Sequence, residues 1–168
     1  MKCAILARGP SMSQAVADSA RDYPLVVAVN DAYRLAPWAT ALAAQDHAWW
    51  IKHPDALQFA GRKFTTNKIS SVERVQAEPW LSRQSSSGVL GLWVAVRILG
   101  ARHVELHGFD NRGTHDFGPH PDPLRATSPD RFKVFEQQFA ALGAEMTKAG
   151  VRIVNKTPGS ALRCFPFE

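Results

Sequence analysis

Five short strand-like runs, four of them apolar and each closing on a polar or glycine-bearing turn, constrain this chain more than anything else in it. They occupy residues 3–7, 25–29, 40–44, 103–108 and 151–154. Their length, roughly 4–8 residues, is that of strands rather than helices. Residues 3–7 and 25–29 are apolar without a break, as in strands covered on both faces of a parallel sheet. Residues 40–44 are Ala-rich, but Pro37 before them and Gln45-Asp46-His47 after them fit a strand. Helical patterns fill the gaps. Small residues at 13–20 stop before Pro24, and Ser85-Ser86-Ser87-Gly88 opens an apolar helix over 89–99 that Gly100 closes. A third helix carries full punctuation: Ser128 as cap, Pro129 in the first position, Asp130 in the first turn and Gly150 at the end. Its stripe is Phe132, Phe135, Phe139, Leu142 and Met146. The middle, residues 49–86, is the least legible, with a short helix expected at 54–59 and a strand at 62–65.

Strands alternating with helices predict a three-layer, Rossmann-like α/β fold with a mostly parallel sheet. The 168 residues, 45% of them hydrophobic, suffice for one core and show neither repeat nor linker, so residues 1–168 read as a single domain. A loop over 111–127, with Gly113, Gly118 and three prolines, is expected to be flexible and functional. No run approaches the roughly 20 apolar residues of a membrane helix. Lys2 leads into an apolar run too short for a secretory signal, and a cytoplasmic location is expected. Cys3 and Cys164 lie far apart in sequence; two buried thiols are expected over a disulfide. The excess of 20 Lys and Arg over 15 Asp and Glu suits anionic partners. Nucleotides, nucleic acid and acidic glycans all qualify; the basic residues are scattered, with no block of the kind expected in a nucleic-acid tail, so nucleic acid is not the expected partner.

In a parallel sheet every strand ends on the same edge, where ligands bind. The residues just past the strand-like runs are Arg8-Gly9-Pro10-Ser11, Asn30-Asp31, Gln45-Asp46-His47, Asp110 and Asn155. Gly9 admits close backbone approach, and the following helix start favours an anion. The chain has neither a GxGxxG fingerprint nor a Walker A loop. Ser86, Ser87 and Gly88 offer a second helix start. His115 and His120 in the loop are candidate general bases, since imidazole titrates near neutrality. A metal reading would need Asp110, His115, Asp116 and His120 to converge. His103, Glu105 and His107 alternate along one strand face, where a structural role is expected.

The ordered motifs Ala7-Arg8-Gly9-Pro10-Ser11, Val29-Asn30-Asp31, Ser86-Ser87-Gly88-Val89, Gly108-Phe109-Asp110 and Pro158-Gly159-Ser160 resemble those of bacterial sialyltransferases of glycosyltransferase family 42. They are also similar to the wider group of 6-hydroxymethylpterin diphosphokinase-like proteins and short phage-encoded relatives. The resemblance implies a CMP-sugar-type donor held by Gly9, Pro10, Ser11, Asn30, Ser86, Ser87 and Gly88. It implies a His base after the Gly-x-Asp strand, here His115 or His120 by region, beside Asp110. No metal is implied for that reaction. The chain has Arg8 where the family has Asn, and Asn111-Arg112 where the family has tyrosines near the leaving phosphate. Arg8 and Arg112 are therefore expected on the phosphate, by forked hydrogen bonds. Asp31 and Gln45 complete the expected nucleotide site. Two alternatives stay open: an ATP- and Mg-dependent pyrophosphokinase-like enzyme using Asp31, Asp46 and Asp110, and a non-catalytic nucleotide- or glycan-binding accessory protein. A homo-oligomer is expected by analogy with the family.

Overall fold

A computed structural model describes residues 1–76, 81, 85–119 and 127–168. Seven strands form one sheet: β1 (Lys2–Leu6), β2 (Leu25–Val29), β3 (Ala41–Ala43), β4 (Arg62–Thr65), β5 (Glu73–Arg74), β6 (His103–His107) and β7 (Arg152–Asn155). Their order is β5-β4-β3-β2-β1-β6-β7, and every pairing is parallel. The chain steps outward from β1 to β5, crosses back to lay β6 on the other side of β1, and finishes at β7. The reversal of direction lies between β1 and β6. That is the topological switch point of an open α/β sheet.

Helices cover both faces. The short α1 (Gln14–Asp18) and α2 (His47–Lys52) share one apolar cluster with Ala4, Leu6, Val26, Ala28 and Leu42. On the other face α3 (Ser87–Trp93) and α4 (Pro129–Lys148) enclose Cys3, Ile5, Val27, Val29, Val104 and Leu106. This is a three-layer Rossmann-like α/β domain. The all-round apolarity of α3 has its cause here, because all seven of its residues are buried. A Cβ on Gly91 would come within 2.9 Å of Val29 and 3.4 Å of Ile5, so α3 rests almost directly on β1 and β2. The helix continues as a π turn over Val94–Ile98 and stops at Gly100, which takes φ +74°.

The structure amends several sequence expectations. The helix expected over 13–20 is only Gln14–Asp18, capped by Ser13. The strand expected over 40–44 is three residues long. Helix α2 begins where a polar strand end was expected: Trp49 and Trp50 turn inward, and Trp50 Nε1 donates to the Ala44 carbonyl at 2.9 Å. In α4 the stripe is buried only at Phe139, Leu142 and Met146, while Phe132 and Phe135 stay half-exposed. Cys3 is buried, Cys164 half-buried, and both are free thiols; burial pushes each up to about 12. Among the described residues no helix is long and apolar enough to cross a membrane.

Candidate functional site

The turn after β1 and the turn after β6 meet at the switch point. Ala7 N–H donates to the His107 carbonyl and Gly9 N–H to the Gly108 carbonyl, each at 2.9 Å. A Cβ on Gly9 would collide with Asp110 Oδ2 and the Gly108 carbonyl oxygen, so the close approach that requires glycine here is to the neighbouring turn. Asp110 is 3% exposed, and its Oδ2 accepts from the Ser11 hydroxyl (2.8 Å) and the Ser11 N–H (3.2 Å). Pro10 stands exposed above this join, beside Gly113. The anionic cradle expected at the next helix start is displaced, since α1 begins at Gln14 and is five residues long.

The two arginines differ. Arg8 forks onto Asp116 through Nε and Nη2 at 2.5 and 2.6 Å, and its Nη1 reaches the Asp31 carbonyl at 3.4 Å. Its guanidinium also lies 4.8 Å from the centre of the Phe117 ring. Arg112 is exposed and has no hydrogen bond or ion pair among the described residues. It lies over Gly159, where a Cβ would come within 3.4 Å of its Nη2.

The first part of the long loop is built on Arg8. Asp116 N–H donates to the Arg8 carbonyl at 3.1 Å, and Gly118 N–H closes a turn on the His115 carbonyl at 2.9 Å. His115 stacks on Phe117 with centroids 4.8 Å apart, and its Nδ1 lies 3.3 Å from the Arg8 carbonyl oxygen. A carbonyl only accepts, so Nδ1 carries a proton toward Arg8. His120 lies outside the described residues.

At the end of β2, Asn30 adopts φ +49°, and its Oδ1 is enclosed without a hydrogen-bond partner among the described residues. Asp31 faces the opposite situation. Its carboxylate accepts from Trp49 Nε1 at 3.0 Å and lies 3.2 Å from His53 Nε2 and 3.6 Å from Arg34. His53 is 6% exposed, stacks on Trp49 at 4.5 Å, and sets its Nδ1 2.8 Å from the Trp49 carbonyl. This Asp–His–Trp knot escaped the sequence reading, which had Asp31 on the nucleotide.

The remaining expected residues hold elements together. Ser87 Oγ accepts from Gln45 N–H at 2.9 Å, and Gln45 Nε2 donates to Thr66 Oγ1 at 2.6 Å, linking α3, β3 and β4. Ser86 caps α3 on Val89 N–H at 3.2 Å. The missing side chain of Gly88 makes room for the rings of Phe109 and Phe139 rather than for a ligand. Asp46 is exposed ahead of α2 and makes no cap hydrogen bond. Among the described residues no three His, Cys, Asp or Glu side chains converge as metal ligands.

Fold and site together define an α/β domain whose β1 and β6 turns join at the topological switch point. No protein-family model matches the chain, and no curated protein matches it.

Proposed function

We propose that this chain binds a nucleotide at the β1/β6 switch point and transfers a group from it, in its simplest form a sugar from a CMP-sugar-type donor to a hydroxyl acceptor. The observation that carries the reading is Asn30: a left-handed residue at the strand edge whose enclosed Oδ1 finds no donor among the described residues. Buried polar atoms are satisfied as a rule, so an orphaned acceptor at a ligand-binding edge favours a donor supplied by the ligand. The amino and hydroxyl groups of a nucleoside are such donors. His115 supports the second half. Its Nε2 takes the proton of the acceptor hydroxyl as the oxygen attacks the anomeric carbon, the bond from that carbon to phosphate oxygen breaks, and the nucleotide leaves with the electron pair. Arg112, with no hydrogen bond or ion pair among the described residues, suits the departing phosphate better than Arg8, which Asp116 already engages.

A second reading, binding without turnover, draws on Ser11, Asp110, Ser86, Ser87 and Gln45 all being hydrogen-bonded inside the protein. Thermal unfolding with CMP, CDP, UDP, GDP and ATP, each with Mg²⁺ and with EDTA, tests both. A ligand at about 100 times its Kd raises the midpoint by roughly 5–10 °C for a domain of this size. The expected result is a metal-independent shift with cytidine nucleotides, lost in Asn30→Ala. A shift with ATP that requires Mg²⁺ would replace glycosyl transfer by pyrophosphoryl transfer, and no shift with any nucleotide would remove the proposal. Release of CMP from a CMP-sugar, abolished by His115→Ala with the CMP shift intact, separates turnover from binding.

A further inference from the structure

Beyond β7 the chain turns back through Lys156-Thr157-Pro158-Gly159-Ser160, and this segment is tied to the turn after β6. Phe109 N–H donates to Thr157 Oγ1 at 2.9 Å, Ser160 Oγ donates to the Phe109 carbonyl at 2.5 Å, and Ala161 N–H donates to the Asp110 carbonyl at 2.8 Å. Between this segment and the tail at 163–168 lies a cavity of about 410 Å³, within the usual range for small-molecule pockets. Pro158 and Phe167 give it an apolar wall, and Phe167 is 44% exposed. Lys156 and Arg163 give it charge.

Neither of these two side chains is ion-paired among the described residues. Lys156 makes no side-chain hydrogen bond or ion pair among the described residues. The Arg163 guanidinium lies 5.9 Å from the Phe167 ring centre, and only its backbone N–H meets a carboxylate, Glu136, at 3.1 Å. Glu168, the acidic residue of the lining, has its side-chain carboxylate paired with Arg152. Arg112 lies near this wall, its Nη2 3.4 Å from where a Cβ on Gly159 would stand, but it lines the neighbouring cavity rather than this one. Like charges gathered around one concave surface raise the local concentration of anions. An apolar wall beside them fits a sugar or nucleoside ring carrying an oxyanion, rather than a bare ion.

We propose that this cavity is an oxyanion site for a small molecule bearing a carboxylate or phosphate. Taken with the nucleotide reading, on which this last step alone rests, the occupant is an acidic acceptor whose hydroxyl is presented to the adjoining switch point. Backbone-amide NMR titration of the full chain tests it, with inorganic phosphate and glucuronate as probes and glucose as the neutral control. Saturable shifts are expected at Thr157, Gly159 and Arg163 with both anions and none with glucose. Affinity falls about tenfold or more in the Lys156→Ala/Arg163→Ala double variant and survives in Lys156→Arg/Arg163→Lys. Both side chains project from the surface turn and tail; if the double variant fails to fold, Lys156→Gln alone carries the test with a smaller loss. Shifts absent, unchanged in the charge-removing variant, or equal with glucose would overturn the proposal. Adding CMP separates the two readings: silence at Gly9 and Asn30 with saturation at Thr157 removes the nucleotide and keeps the anion site. The reverse pattern removes the anion site alone.

Discussion

At the end of β6 a single carboxylate oxygen fastens two turns that are 99 residues apart in sequence, since Asp110 Oδ2 takes both the N–H and the hydroxyl of Ser11. A hydrogen bond to a charged group contributes roughly 1.5–3 kcal/mol. Ser11→Ala and Asp110→Ala are each expected to destabilise by about that amount. The double variant should cost clearly less than the two singles added, because both remove the same bond. Urea unfolding of the four proteins measures this; strict additivity would show that the pair does not couple. The sequence exposes Gly9, Ser11, Asn30 and Asp110 as polar residues at strand ends, which places them on one edge once the sheet is parallel. It does not expose which of them bond to each other. Partnership across 99 positions leaves no local pattern, and the same holds for Arg8 with Asp116 and Asp31 with His53. Those pairings turn several expected ligand contacts into internal ones.

Among the elements, strands were legible where burial on both faces makes them uniformly apolar. Residues 25–29, buried throughout, have the observed limits of β2; residues 62–65 match β4 as well, although only Phe64 and Thr65 are buried. Helix α4 was legible because its cap, Pro129 and Gly150 are local chemistry. Helix α2 was not, since Ala-Trp-Trp-Ile suits a strand equally well and only the inward packing of both indoles decides it. Strand β5 is two exposed residues held by pairing with β4 and by the Arg62–Glu73 ion pair, so it has no apolar pattern to read. The closeness of α3 to the sheet gives a test. In an open helix Gly→Ala gains about 1 kcal/mol of helix propensity. At Gly91 the added methyl meets Val29 at 2.9 Å in a packed core, and overpacking costs about 1–3 kcal/mol. Gly91→Ala is therefore expected to be net destabilising, as the urea midpoint will report. A stabilised variant would mean that α3 can lift from β1 and β2 at no cost.

On the scale of the whole molecule, one buried carboxylate joins the start of the chain, the connection into β2 and the centre of the sheet. Glu105 on β6 is 4% exposed, accepts from the Tyr23 hydroxyl, and lies 2.8 Å from Lys2 Nζ and 3.3 Å from His103 Nε2. Register places Lys2, His103, Glu105 and His107 on one face of β1 and β6, with Arg152 beside them on β7. Burial alone would raise the Glu105 carboxyl; the hydrogen bonds from Lys2 and Tyr23 outweigh it and hold the group below the usual carboxylate range. Burial holds His107 below the ordinary imidazole value, against the attraction of Glu105. Both groups thus bind protons more weakly folded than unfolded, so each contributes stability above its unfolded pKa and loses it as pH falls through its folded one. The His107 contribution begins to fade below about pH 6.5 and the Glu105 contribution below about pH 4.3. Stability is expected to decline in two acid steps, measured by urea unfolding from pH 8 to pH 3. His107→Gln should remove the upper step, and Glu105→Gln should flatten the lower one while lowering stability at neutral pH, because Lys2 and Tyr23 lose a charged partner. An acid limb unchanged in Glu105→Gln would place the acid sensitivity of this fold elsewhere than in the carboxylate that its first strand, its second connection and its switch-point strand share.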